Sequence, residues 1–281
     1  MALAEDLEIV VRGSRLRAQR WGSRSGPLVI GFPGLKGSAE RFAFLGERLG
    51  SDELQLVALD PRGRGKSDKT APGSYGWENH ARDVLAIADA LGTEQFSMIG
   101  HSMGGSVAMK TAELDASRLR RVVLIDIAGR VDRGVGAVIA GEIDDLRSTY
   151  DSVEQYLTHV RSGGLIEPWD KYWDRVHLAD VTEVDGRFRH RTSPEAVEED
   201  RAYTWTQHPY ARWKYLTMPT LLVRASQEMR PGSGFVVPIA DRDRFMREVP
   251  DATLVEVDAN HLTIKRHAET ANAIQSFLTA P

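Results

Sequence analysis

The chain has no cysteine among its 281 residues. That excludes disulfides, a thiolate nucleophile and a Cys-ligated zinc. It also lacks any apolar run approaching the ~18 residues needed to cross a bilayer, so no membrane role is expected. A basic excess is missing too, since 36 Lys and Arg stand against 40 Asp and Glu for a formal net charge of -4. Nucleic-acid backbones are held by basic stripes that release counterions, so nucleic acid is not an expected partner. The opening MALAEDLEIV puts Glu5 and Asp6 where a secretory signal would need a basic start and an unbroken apolar stretch. A cytoplasmic protein is expected. There is no HExxH and no carboxylate cluster, so neither a catalytic metal nor another cofactor is called for.

Two phosphate-binding patterns are also missing on inspection. Gly65-Lys66-Ser67 ends like a phosphate loop, but the first glycine of that motif would fall at Asp60. Gly63-Arg64-Gly65 would need its third dinucleotide-binding glycine at Asp68.

What is present is a length that suits one large domain, or one domain with an insertion. Strand-like stretches recur at 7–12, 16–21, 27–32, 54–60, 96–100, 122–127, 220–225 and 253–257. LVIGF, VVLIDI and LLVRA show no polar alternation, as strands buried on both faces of a parallel sheet should. Helix-like segments at 39–49, 77–91, 103–114, 241–249 and 266–278 lie between them. This alternation predicts an α/β fold with helices on both faces of the sheet. The rhythm breaks over 131–213, where polar helical stretches such as 142–160 replace it and no buried strand stands out. A mainly helical insertion is expected there, with the core formed by 1–130 and 214–281. The insertion holds Trp169, Trp173, Trp205 and Trp213, which serve either its own small core or a pocket where it meets the sheet.

The stretch Gly100-His101-Ser102-Met103-Gly104 follows the strand FSMIG and precedes the helix-forming VAMKTAEL. A G-x-S-x-G pattern between strand and helix is a nucleophile elbow, which exposes a serine hydroxyl at the C-terminal edge of the sheet. Ser102 is therefore the candidate nucleophile, and His101 has no catalytic role. A serine needs a histidine to take its proton, and the histidine needs a carboxylate to fix its tautomer. Of eight histidines, His261 stands just beyond the last strand, at that same edge. His177 and His190, inside the insertion, are expected to serve its core or surface rather than the pocket.

With these residues in place the sequence resembles the α/β-hydrolase superfamily. Asp60-Pro61-Arg62-Gly63-Arg64-Gly65-Lys66-Ser67 is similar to its D-x-R-G-x-G-x-S loop, and Gly31-Phe32-Pro33-Gly34 to its H-G-F-P-G loop, with Ile30 replacing the histidine. The resemblance implies an eight-stranded, mostly parallel sheet, a cap inserted after the sixth strand, and an oxyanion hole from the N–H groups of Phe32 and Met103. For the acid it implies two positions. Glu228 lies in the usual register beyond the seventh strand and is favoured. Asp126, at the end of the sixth strand, occupies the place used by some haloalkane dehalogenases and the zearalenone lactonases. Asp258 is a third acid nearby, expected only to end its strand. The implied activity is a serine esterase or lactonase acting on a small to medium hydrophobic ester or lactone through an acyl-enzyme. A C–C bond hydrolase of the meta-cleavage type, an amidase and a ligand-binding receptor on the same fold are the alternatives.

Overall fold

The apolar runs become strands because neither face of them meets water. In the computed structural model, which describes residues 4–280, every residue of LVIGF and TLLVRA is buried. The first three residues of the amino-terminal stretch discussed above lie outside the described residues.

The chain opens with β1 (Glu5–Val11), β2 (Ser14–Trp21) and β3 (Leu28–Phe32). It continues through α1 (Ala43–Leu49), β4 (Gln55–Leu59), α2 (Trp77–Ala90), β5 (Phe96–His101), α3 (Met103–Asp115) and β6 (Leu119–Ile125). An inserted segment then carries α4 (Arg133–Asp144), β7 (Thr149–Tyr150), α5 (Val153–Ser162), α6 (Lys171–Leu178), β8 (Val181–Val184), β9 (Arg187–His190) and α7 (Pro194–Trp205). The sheet resumes with β10 (Thr220–Ala225), α8 (Ile239–Glu248), β11 (Ala252–Val257) and α9 (Ala268–Thr279).

Eight strands form one sheet in the order β1-β2-β4-β3-β5-β6-β10-β11. β1 and β2 run antiparallel to their neighbours, and the pairings from β4 through β11 are parallel. The edge strand β1 alternates exposed and covered residues, whereas the central strands do not. One face packs against α2, α3 and α8 through residues such as Val84, Ile87, Val107 and Phe245. The other face packs against α1 and α9 through Leu45, Leu49, Ala271 and Ile274. In α2 the buried Trp77, Ala81, Val84 and Ala88 recur every three or four residues, so one stripe faces the sheet. Burial of a side chain such as Val84 or Phe245 contributes roughly 1.5–3 kcal/mol. Among the described residues no helix is long and apolar enough to cross a membrane.

The inserted segment departs from expectation in two places. The stretch 142–160 is not one helix. α4 stops at Asp144, a single 3-10 turn follows, and Tyr150 pairs across to Phe188 before α5 begins. Ser152 restarts the helix by accepting the Gln155 N–H at 3.1 Å, a competition that short polar side chains commonly win. Strands are also present: β7, β9 and β8 form a small antiparallel sheet, with a hairpin turning at Asp185-Gly186. Both turn residues have positive φ (52° and 75°), the backbone that Asp-Gly supplies most readily. The tryptophans divide. Trp213 joins the main core beside Phe245, Trp169 packs with Tyr150 and Tyr156 inside the insert, and Trp205 is exposed.

Candidate active site

The elbow is built by close approach. A Cβ on Gly104 would lie 2.0 Å from the Phe32 carbonyl oxygen, and one on Gly100 would lie 2.2 Å from that of Gly104. Only glycine lets β3, β5 and α3 meet this tightly. Ser102 between them takes φ 55° and ψ -123°, a region costly for any residue with a side chain. Its N–H is tied to the Ile125 carbonyl at 3.1 Å, fixing the bend against the end of β6. The loop after β3 passes directly over it, since a Cβ on Gly34 would be 3.3 Å from that of Ser102. Met103 opens α3, where the first backbone N–H groups have no partner within the helix and the dipole is positive.

Asp126 follows the last residue of β6 and also has a positive φ, 48°. Its backbone N–H bonds Val223 at 2.7 Å, and its Oδ1 accepts the Ala225 N–H at 3.0 Å, so β10 holds the carboxylate still. Its Oδ2 lies 2.8 Å from His261 Nδ1, and both side chains are buried. A carboxylate accepts only, so the proton of the neutral imidazole sits on Nδ1 and the lone pair on Nε2. The turn bearing His261 is set by Asn260, whose Oδ1 accepts from the Leu262 and Thr263 N–H groups at 3.0 Å each.

Glu228, the favoured acid, is not the carboxylate that the structure brings to His261. Its Oε2 accepts the Gly232 N–H at 2.6 Å and its Oε1 the Gly234 N–H at 3.1 Å, so both oxygens serve their own loop. The glycine-rich extension after β10 gives that carboxylate local partners that a shorter loop would not. Asp258 is exposed and accepts from Gln227 at 2.9 Å.

Three neighbours surround the His261–Asp126 pair, of which Lys265 and Asn260 carried no expectation. His101 Nε2 donates to the His261 carbonyl at 2.9 Å, and the two rings lie 4.5 Å apart at 31°. Lys265 is buried with its Nζ 3.2 Å from the His101 ring nitrogens, and burial holds its pKa well below that of an ordinary lysine. Burial, with Lys265 adding to it, likewise pushes the His101 pKa well below that of an ordinary histidine. Asn260 is the third. The sequence signal available for it was only its place one residue before His261.

Leu35 and Ile139 pack against Ile143, Leu146 and Val197, while Ile127, Val138 and Ile139 pack against Val135, Met229 and Val236. His177 and His190 lie within the insert, His177 at 2.9 Å from the Trp173 carbonyl and His190 edge-on to Tyr156. Among the described residues no group of three or more His, Asp or Glu is placed to hold a metal ion.

The model of the alpha/beta hydrolase fold family matches residues 27–268. The chain belongs to that family. Within it, this α/β hydrolase is similar to a serine hydrolase-like protein of Danio rerio, 34% identical over 98% of this chain and 87% of the relative. It is also similar to an N-formylmaleamate deformylase of Pseudomonas putida, 33% identical over 141 residues, which is half of this chain and 52% of that one. A solved E-2-(acetamidomethylene)succinate hydrolase superposes with a TM-score of 0.86 over 99% of the α/β hydrolase and 100% of its own chain. At 22% identity that likeness speaks for the fold alone.

Proposed function

We propose that this α/β hydrolase is a serine esterase or lactonase working through an acyl-enzyme, with Ser102 as nucleophile, His261 as base and Asp126 as acid. The observation that carries this reading is the buried His261–Asp126 pair at 2.8 Å, at the same sheet edge as a serine in a strained turn. Ser102 Oγ attacks the carbonyl carbon while its proton passes to His261 Nε2. Asp126 stabilises the imidazolium that forms. The Phe32 and Met103 N–H groups receive the developing oxyanion, and the tetrahedral intermediate collapses by expelling the alcohol, which takes the proton from His261. Water then attacks the acyl-enzyme with His261 again as base.

The inserted segment acts as a cap whose Ile139 layer favours a small to medium apolar substrate. The protein needs no cofactor, contacts neither nucleic acid nor membrane, and works in the cytoplasm. A second reading, hydrolysis of an N-acyl bond on the same residues, draws on the relative named for N-formylmaleamate.

The test is a panel of esters, lactones, N-acyl amides and vinylogous diketo acids, with a fluorophosphonate probe alongside. Labelling at Ser102 with ester or lactone turnover that Ser102→Ala abolishes is the expected result. Tight ligand binding without labelling would point to a receptor, and turnover of amides alone to the second reading.

A further inference from the structure

The D-x-R-G-x-G-x-S stretch is only partly explained by the loop it builds. The Asp60 carboxylate accepts the Ala39 and Lys66 N–H groups at 2.7 and 2.8 Å, Arg62 clasps Asp83 with two bonds of 2.6 Å, and Ser67 Oγ donates to the Asp60 carbonyl at 2.6 Å. Arg64 adds one bond inside the loop, from Nη1 to the Arg62 carbonyl at 3.2 Å, but its other nitrogens do not serve the loop. It is wholly buried and reaches out of its loop in two directions.

One direction is the oxyanion loop. Arg64 Nε and Nη2 donate to the Leu35 carbonyl at 3.1 and 2.9 Å, three residues beyond Phe32. The other is α7 of the inserted segment, where Nη2 donates to Asp200 at 2.5 Å and neither side chain has any exposure. Asp200 also accepts from Gly76 N–H at 2.6 Å and from His80 Nε2 at 3.0 Å to both oxygens. The His80 ring in turn meets the Phe32 ring edge-on, 5.4 Å between centroids. A third tie comes from Thr192 Oγ1, which donates to the Lys36 carbonyl at 3.1 Å. The Phe32–Lys36 loop is thus held at a ring and two carbonyls, each by a group on the insert or one bonded to it.

A guanidinium is a rigid planar fork, so the carboxylate that fixes its plane also fixes the carbonyl on its other edge. We propose that Asp200 is a positioning residue for the oxyanion loop, acting through Arg64 and His80, so that seating of the insert and alignment of the Phe32 N–H are one event. The proposal rests on the serine-hydrolase reading. Its closest alternative is that the buried pair only joins insert to core.

Asp200→Asn, Thr192→Val and the double variant Arg64→Met with Asp200→Leu separate the two. Each is assayed with p-nitrophenyl butyrate, per folded active site, next to Ser102→Ala. Loss of one oxyanion donor costs about a hundred- to a thousand-fold in kcat, so misalignment by Asp200→Asn should cost about ten- to a hundred-fold with KM little changed. An apolar pair of similar volume removes the cost of an unpaired buried charge, so the double variant should regain part of the Tm lost in Asp200→Asn, the Gly76 N–H, His80 and the Leu35 carbonyl still lacking partners, while kcat stays low. If kcat recovers together with Tm, or Asp200→Asn keeps native kcat, the proposal is overturned. Should neither ion-pair variant fold, Thr192→Val decides, because it deletes one hydrogen bond to the same loop. A lowered kcat at constant KM supports the proposal, and an unchanged kcat overturns it. Ser102→Ala retaining turnover would instead mean that the serine-hydrolase reading is wrong.

Discussion

Asp126 receives the Ala225 N–H on one oxygen and faces His261 with the other, which makes it both a strand-end anchor and the orienter of an imidazole. Asp126→Asn should cut the acylation rate by about four orders of magnitude, because the tautomer of His261 is no longer held. Glu228→Gln should leave acylation near native and lower stability on the order of 1 kcal/mol, since only bonds to the Gly232 and Gly234 N–H groups weaken. Burst kinetics on both variants decide; a crippled Glu228→Gln beside a healthy Asp126→Asn would reverse the assignment. Ser102 carries its own signature. Alanine there keeps the positive φ and its strain, whereas glycine relieves it at some cost in chain entropy. Ser102→Gly should therefore be more stable than Ser102→Ala by about 1 kcal/mol, near 2 °C in Tm. Equal melting temperatures would mean that the turn stores no strain.

At the scale of elements, α4 places half-buried Ile139 against the clusters of both Leu35 and Ile127. Ile139→Ala should lower KM for longer acyl esters relative to acetate; a uniform rise in KM across chain lengths would place Ile139 outside the acyl pocket. Elements of the sheet were legible because burial on both faces leaves an unmixed apolar run, as in β3 and β10. The turn at Ser102 and the place of His261 were legible because a glycine-flanked strand-to-helix turn and a strand end each leave a local mark. Which carboxylate stands at His261 was not, because two occupy strand-end loops, and the Ala225 N–H that holds Asp126 beside the histidine lies 99 residues along the chain. Asp185-Gly186 did announce a hairpin, between VTEV and RFRH, but the surrounding polarity hid it among helical stretches. Asp200 left no local sign at all, since Arg64 and His80 reach it from 136 and 120 residues away.

For the molecule as a whole, the contact between insert and core includes a fully buried ion pair, Arg64–Asp200, and that makes stability depend on pH in a definite sense. Burial alone would raise the Asp200 carboxyl, but His80 and Arg64 outweigh it and hold its pKa well below the usual carboxylate range. Between that depressed value and the unfolded value near 3.9 the unfolded chain binds more protons, so stability rises with pH. The contribution is complete above about pH 5 and fades as pH falls below about 4. Asp60 works in the opposite sense, because burial raises its pKa and neutral pH then costs stability that acid restores. The two partly cancel in the native protein, so the comparison that isolates Asp200 is with Asp200→Asn. Breaking a buried pair costs about 3–5 kcal/mol, and the native chain should exceed the variant by the lower end of that range at pH 7. Urea unfolding at pH 7, 5, 4 and 3 should show the gap constant over the first two and closing over the last two. Parallel curves down to pH 3 would mean that the Asp200 carboxylate is not what ties the insert to the sheet.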